Sequence, residues 1–382
     1  MPRLISESDI ETLTLEILSE LGYTVLYGPD ISEGGENEER KYDEVVLKYR
    51  LGAALERINK HIPPAVINGV INETVKKIIS SESQDLVSNN KMFHRFLTDG
   101  VPVEYNTANG IKNDIVRLFD FNDIDDNEFL AVNQFTIKEN RENRRPDVVL
   151  FINGLPLVLI ELKNPVDENA SIWSAYTQLQ TYKDLISSIF RFNEILIISD
   201  GMEARAGTLT SPQNRFSPWK RTGGNGFKDL PDMGSAEHVP AGQTPNINMS
   251  LLQDDPVGLP DFRHKSPQLQ TLIKGMLKKD VLLDLVRHFI VFESEAFVSN
   301  NKDLDRIEKA GQNQPGGIAI SKKIAAYHQY YAVNRAVSST VKAAKGGDKR
   351  AGIVWHTTGS GKSLIMVFYA GKLILELELL EA

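Results

Sequence analysis

Apolar side chains recur at Ile10, Leu13, Leu15, Ile17, Leu18 and Leu21, the spacing of one helix face. Residues 6 to 21 are therefore predicted as a helix, with Ser6 or Ser8 at its cap and Gly22 at its stop. Helical spacing continues through roughly 38–59, 66–81 and 84–98, interrupted by His61-Ile62-Pro63-Pro64 and by Ser81-Glu82-Ser83. The period then shortens. Strand-like runs occupy 101–105 and 129–138, and the second leads into residues 145–165, where two strongly apolar, β-prone runs flank Asn153-Gly154. That dipeptide favours the positive φ angles of a tight hairpin turn. A helix is predicted over 169–190 with Asn169 or Ser171 as its cap, then a short buried strand over 194–199 ended by Asp200-Gly201.

From about 203 to 260 the texture changes to Gly, Pro, Ser and Asn with little periodicity. Residues 204–220 are expected to add a hairpin to the preceding sheet, and 221–257 read as a long loop or insertion. Helical periodicity returns at 267–290. Two domains are expected, 1–262 and 263–382. Near the end, Ala351–Trp355 is predicted as a short buried strand, residues 356–362 (HTTGSGK) as a loop, and Ser363 opens an apolar helix. Strands interleaved with helices make the fold class α/β, and no internal repeat is present.

Composition narrows the possibilities. The chain has 382 residues, 41% hydrophobic and 25% charged, which is an ordinary globular balance with room for two domains. It has no cysteine, so disulfides and thiolate metal sites are excluded and a cytoplasmic location is expected. The first residues are acidic and amphipathic, unlike a signal peptide, and no stretch is long and apolar enough to span a membrane. A net charge of −8 argues against a protein that coats DNA along its whole surface. Any nucleic-acid contact must then be local. Residues 321–350 hold seven Lys or Arg against one acid, Asp348, as a candidate phosphate-facing strip or a solvated helix face. Arg141, Arg144 and Arg145 are further candidates for meeting a DNA backbone, or equally form a charged connector. His238 and His264 have no companion at a ligand spacing and are treated as incidental.

The hairpin carries the first candidate chemistry. Asp147 lies near the start of its first strand, and Glu161 and Lys163 near the end of its second. Placing charge in an apolar sheet costs free energy unless it is paired or used. A strict two-residue turn pairs Ile152 with Leu155 and puts Asp147 opposite Ile160, so the two carboxylates face opposite ways. A three-residue turn, or one bulge in the second strand, moves the pairing by one and sets Asp147 opposite Glu161. Pro156, which lacks a ladder donor, makes a disturbed start to that strand reasonable. Two carboxylates on one face make a hard oxygen site suited to Mg²⁺, and a lysine beside it suits phosphodiester hydrolysis. The plainer alternative is a hairpin with ordinary strand-end charges. On the following helix Gln178 and Tyr182 are four apart and share a face.

The second candidate is the order of strand, HTTGSGK loop and apolar helix, the context a phosphate-binding loop requires. Loop amides at Thr358, Gly359, Ser360 and Gly361 and the helix N-terminus would cradle phosphates. Lys362 would reach the β and γ phosphates of ATP, and Ser363 would hold Mg²⁺. His356 stands in place of the first glycine of the generic pattern.

Pro146-Asp147 followed by Glu161-Leu162-Lys163 resembles the PD-(D/E)xK nuclease motif, and RPDVVLFINGLPLVLIELKNP is similar to the N-terminal nuclease domain of type I restriction enzyme R subunits. The resemblance implies a restriction-endonuclease-like mixed sheet flanked by helices, followed by the beginning of a RecA-like P-loop lobe. It implies Asp147, Glu161 and Leu162 as metal ligands and Lys163 as the catalytic lysine. Gln178 and Tyr182 match its QxxxY element. The opening helix of the family can supply a further acid, here Glu11 or Glu16. The loop resembles those of superfamily 2 DNA translocases, which place an adenine-reading glutamine upstream, at Gln329. No acidic Walker B strand or second lobe follows before Ala382, so a longer motor subunit is expected. The family further implies methyltransferase (M) and specificity (S) partner subunits, ATP-driven translocation, and Mg²⁺-dependent cleavage of double-stranded DNA. Two other readings stay open: a nuclease-helicase of another defence or repair system, and an inactive fragment that docks on DNA or partners.

Overall fold

In a computed structural model the described residues are 6–80, 83, 85–108, 110–164, 171–220, 268–296, 318–346, 349–355 and 359–381. Helix α1 (Glu7–Glu20) is fixed at its start by a reciprocal cap, in which Ser6 Oγ accepts from Asp9 N and Asp9 accepts from Ser6 N. Strand β1 (Thr24–Tyr27) and a single turn, α2 (Gly28–Ile31), follow. The predicted helix 38–59 is shorter than its periodicity suggested. Only α3 (Lys48–Ile58) is helical, because Arg40 holds the preceding chain open. Its buried guanidinium donates to the carbonyls of Glu44, Tyr42 and Thr136 at 2.7–3.0 Å and stacks on Phe135. Carbonyls used in this way are unavailable to a helix.

Helices α4 (Pro64–Ile79) and α5 (Leu86–Asp99) match their predicted spans, α4 opening on a proline and α5 on Asp85, whose side chain accepts from Ser88 N. Strands β2 (Val101–Thr107) and β3 (Gly110–Val116) pair as a separate hairpin. The predicted strand 129–138 breaks at Gln134, which has a positive φ of 55°, into β4 (Phe129–Asn133) and β5 (Ile137–Glu139). Strand β6 (Glu142–Arg144) pairs back on β5.

Next come β7 (Val148–Ile152) and β8 (Leu155–Leu162), helices α6 (Ile172–Leu185) and α7 (Ser187–Phe190), and strands β9 (Ile195–Ser199) and β10 (Ala204–Gly207). The main sheet has the order β1-β4-β7-β8-β9-β10. It is mixed, because β1 runs parallel to β4 and β8 parallel to β9 while the other pairs are antiparallel. All eight residues of β8 are buried, as expected of a central strand covered by helices. Helices α1 and α6 both pack on this strand. Each large apolar side chain so buried contributes roughly 1.5–3 kcal/mol, which offsets the cost of enclosing a carboxylate among them.

The expected insertion 221–257, the domain boundary near 262, Asn169, Thr358 and His356 lie outside the described residues. Helix α8 (Gln268–Met276) packs on α1 and β10, and Tyr23 Oη donates to Leu277 O at 2.7 Å. Helix α9 (Lys279–His288) leads into a hairpin of β11 (Ile290–Ala296) and β12 (Ile318–Ile324). Helices α10 (Tyr327–Gly346) and α11 (Lys362–Glu381) pack together and are tied to α9 by Lys372, whose ammonium meets Asp284 Oδ1 and Asn334 Oδ1, each at 2.5 Å. Ala351–Trp355 is not the buried strand that was predicted. It has no ladder, and Ile353 and Trp355 are 93% and 81% exposed. An apolar run becomes a buried strand only with a paired neighbour and a covering layer, and among the described residues no strand lies beside it.

Candidate active site

The β7–β8 hairpin settles its own register. Asn153 and Gly154 take φ angles of 51° and 77°, so the turn has two residues and Ile152 pairs with Leu155. Phe151 then pairs with Pro156, but Leu150 pairs with Val158, leaving Leu157 as the extra residue of a bulge. The Leu157 carbonyl is not orphaned, since it accepts from Glu194 N at 2.7 Å and Asn193 Nδ2 at 3.2 Å. Beyond the bulge Val148 faces Ile160, which carries Asp147 to the position opposite Glu161. The shifted register is the one that brings the carboxylates together.

Asp147 is buried, and its Oδ2 accepts from Leu162 N at 2.7 Å. Burial pushes its pKa up to about 6, against the pull of that hydrogen bond and of Lys163, with Glu7 and Glu11 adding to the rise. Glu161 is fully buried and raised well above the usual carboxylate range, first by burial and then by the charge of Asp147. Its Oε1 accepts from Lys163 Nζ at 3.0 Å, whereas its Oε2 is buried without a hydrogen-bond partner. Lys163 Nζ also donates to the Leu162 carbonyl at 2.8 Å and lies 3.9 Å from Glu7 Oε1. A buried, unpartnered carboxylate oxygen beside a second raised carboxyl is the donor arrangement a divalent cation relieves. Among the described residues no cluster of three or more His, Cys, Asp or Glu forms a ready metal cage, so the hairpin offers two acids and a backbone carbonyl.

Helix α6 brings its own pair to this corner. Gln178 Nε2 donates to Tyr182 Oη at 2.5 Å, and the Tyr182 hydroxyl is held above its ordinary pKa by burial and then by the charge of Glu161. Of the two acids proposed on α1, Glu11 turns inward. Its carboxylate accepts from Asn133 Nδ2 at 2.7 Å and Gln134 Nε2 at 2.6 Å, whereas Glu16 is exposed. Glu7, one turn before Glu11, went unnoticed in the sequence although an acid four positions away on the same face was the available signal. Arg144 pairs with Glu142 at 2.8 Å and bears electrostatically on Tyr182.

The Gly-rich loop is built differently. Gly359 and Gly361 take φ angles of 83° and 79°, and α11 starts at Lys362. Gln329 is buried. Its Nε2 lies 3.3 and 3.2 Å from the carbonyls of Ser360 and Gly361, and its Oε1 accepts from Ala326 N. A Cβ at Gly361 would sit 2.4 Å from Gln329 Nε2, so glycine is what lets the two approach. Lys362 and Ser363 are exposed on the first turn of α11. The basic strip is not uniform: Lys322 is fully buried against Glu194, while Lys323 alternates outward to pair with Glu293.

Residues 4–215 match the family model for the N terminus of the type I restriction enzyme R protein. The chain belongs to this family. Over 379 residues it is 38% identical to the type I restriction enzyme HindI endonuclease subunit of Haemophilus influenzae, covering 98% of this chain and 31% of that protein. It is 29% identical over 380 residues to the putative type I restriction enzyme MjaIXP endonuclease subunit of Methanocaldococcus jannaschii, covering 97% of this chain and 31% of that one. This R-protein chain thus spans about a third of the length of these curated relatives. Residues 328–381 match the SWI2/SNF2 ATPase family, a stretch that takes in Gln329, the described part of the Gly-rich loop and α11. Among the described residues no helix is long and apolar enough to cross a membrane.

Proposed function

We propose that this chain is the N-terminal part of the restriction subunit of a type I restriction-modification system and that its hairpin site hydrolyses phosphodiesters of double-stranded DNA. The observation that carries this reading is the bulge at Leu157, which sets Asp147 across from Glu161 at a buried corner with an unpartnered carboxylate oxygen. In this reading Asp147, Glu161 and the Leu162 carbonyl hold Mg²⁺, which when bound supplies Lewis acidity toward a phosphoryl oxygen. Leu162 N–H keeps Asp147 oriented. Lys163, whose Nζ lies 3.0 Å from Glu161 Oε1 and 2.8 Å from the Leu162 carbonyl, would turn from that carbonyl to provide the positive charge that faces the attacking water and the oxygens gaining charge. The Tyr182 hydroxyl accepts from Gln178, so its own proton is available to a phosphate of the scissile strand.

The Gly-rich loop is proposed to bind ATP. Gly359 and Gly361 take positive φ immediately ahead of α11, and there Thr358, Gly359, Ser360, Gly361, Lys362 and Ser363 would meet phosphates and a second Mg²⁺. Gln329 would read the adenine. Translocation along DNA, and assembly with methyltransferase and specificity subunits, belong to the full-length protein in this proposal. The test is a pair of substitutions in that assembled enzyme. Lys163→Ala should lower Mg²⁺-dependent cleavage roughly a hundredfold or more with ATP hydrolysis retained. Lys362→Ala should remove ATP hydrolysis. Normal cleavage by Lys163→Ala would overturn the nuclease assignment.

A further inference from the structure

Lys322 of β12 is held in an unusual way. Its ammonium is fully buried and uses its three donors on Glu194 Oε2 at 2.7 Å, Asn193 O at 2.8 Å and Asn90 Oδ1 at 2.9 Å. Glu194 Oε2 also meets His94 Nδ1 at 3.0 Å, and Asn90 Nδ2 reaches the carbonyls of Phe190, Arg191 and Asn193. A buried ion pair contributes little net stability compared with an apolar plug of the same size, but it accepts one geometry only. The socket therefore fixes the seat of the β11–β12 hairpin.

The backbone of the same residue is gripped from the other side. Lys322 N donates to Thr210 Oγ1 at 2.7 Å, and Lys322 O accepts from Thr208 Oγ1 at 2.6 Å and Thr210 Oγ1 at 3.1 Å. Between those threonines, the carbonyl of Leu209 accepts from Lys183 Nζ at 2.6 Å. Lys183 is the residue after Tyr182 on α6, and its ammonium is braced by Gln180 Oε1 at 2.9 Å. Three residues of one loop thus hold a strand on one side and the helix bearing Gln178 and Tyr182 on the other. The strand in turn ends three residues before α10, whose Gln329 touches the Gly-rich loop.

We infer that the Thr208–Leu209–Thr210 loop is a coupling element, through which the seating of the β11–β12 hairpin sets the order of α6 and so the placement of Lys183, Tyr182 and Gln178. Its consequence for cleavage rests on the nuclease reading above; the coupling itself does not. Hydrogen exchange of the 382-residue chain separates the two, because it needs no reaction. Thr208→Val keeps the side chain's shape and removes one grip on Lys322. Amides of α6 should exchange about five- to tenfold faster, the population shift expected from one lost buried hydrogen bond, with α4 unchanged. Reciprocally, Lys183→Met should speed exchange in β12 by a similar factor. The double variant should exchange no faster in α6 than Lys183→Met alone, because both changes open the same link. Unchanged β12 in Lys183→Met together with unchanged α6 in Thr208→Val would overturn the coupling, as would strictly additive effects. Faster α6 exchange in Thr208→Val, together with normal cleavage by Lys163→Ala in the assembled enzyme, would leave the coupling standing and remove the nuclease.

Discussion

Two glycine-turned elements of this chain carry candidate phosphate chemistry, and they are built in opposite ways. The β7–β8 hairpin lies in the middle of a six-stranded sheet, with its flanks paired and covered, so its charged residues are fixed by backbone register. Residues 351–355 have exposed apolar side chains and no ladder, and Ser360 and Gly361 beyond them are met by Gln329 from another helix. The difference shows where each site stores its precision. A hairpin site carries its alignment within about fifteen residues of chain, because one turn and one bulge decide it. A phosphate loop borrows its alignment from the strand behind it and that strand's neighbours.

The contrast can be broken by removing charge from the hairpin. Asp147→Asn keeps an acceptor for Leu162 N but removes a carboxyl whose folded pKa, about 6, stands above its usual 3.8. In metal-free protein at neutral pH this charge opposes folding by on the order of 3 kcal/mol, so the variant should melt higher while losing its metal affinity. A lower melting temperature would show that the carboxylate is not under strain. The same linkage fixes a pH dependence. A carboxyl raised by folding is destabilising while ionised, so the penalty is complete above about pH 6 and is relieved as pH falls from about 6 toward 3.8. Denaturant unfolding at successive pH values, wild type against Asp147→Asn, should give curves that converge on acidification. Divergence would contradict the sign.

Glycine substitution in the hairpin turn and in the segment before the Gly-rich loop separates the two elements by a smaller margin. A Cβ at Gly154 would lie 2.5 Å from Leu47 O and 2.9 Å from Leu51 N, both backbone atoms, at a φ of 77°. Gly154→Ala should cost about 1–3 kcal/mol or more. At Gly352, with a φ of 101° but nothing within 4 Å, alanine meets only the backbone preference, roughly 1 kcal/mol. Equal losses would mean that the hairpin turn is no more enclosed than the exposed segment.

Much of the hairpin was legible because its information is local. Asn153-Gly154 gave the turn, the alternation of side chains gave the two possible registers, and Pro156 marked the strand in which the bulge occurs. Gln178 and Tyr182, four apart on one helix face and matched to the QxxxY element by resemblance, do meet each other. Other features depended on partners far along the chain. Nothing near Lys322 in sequence announces that its ammonium is buried on Asn193 O, 129 positions earlier. Helical periodicity over 38–47 was real as a pattern but lost to Arg40, which draws the carbonyls there to itself. Glu7 was missed, and Glu11 could not be separated from Glu16, because all three lie on α1 and only the packing of that helix against β4 and β8 decides which acid reaches the corner.

If the bulged hairpin is a nuclease corner, it holds a divalent metal. Crystals soaked in Mn²⁺ and measured at its absorption edge locate that metal. A metal-holding corner gives an anomalous peak between Asp147 and Glu161, with Glu161 Oε2 turned to it and Lys163 moved off the Leu162 carbonyl. Saturating Mn²⁺ with no peak there, and Lys163 still bridging Glu161 and Leu162, would contradict it.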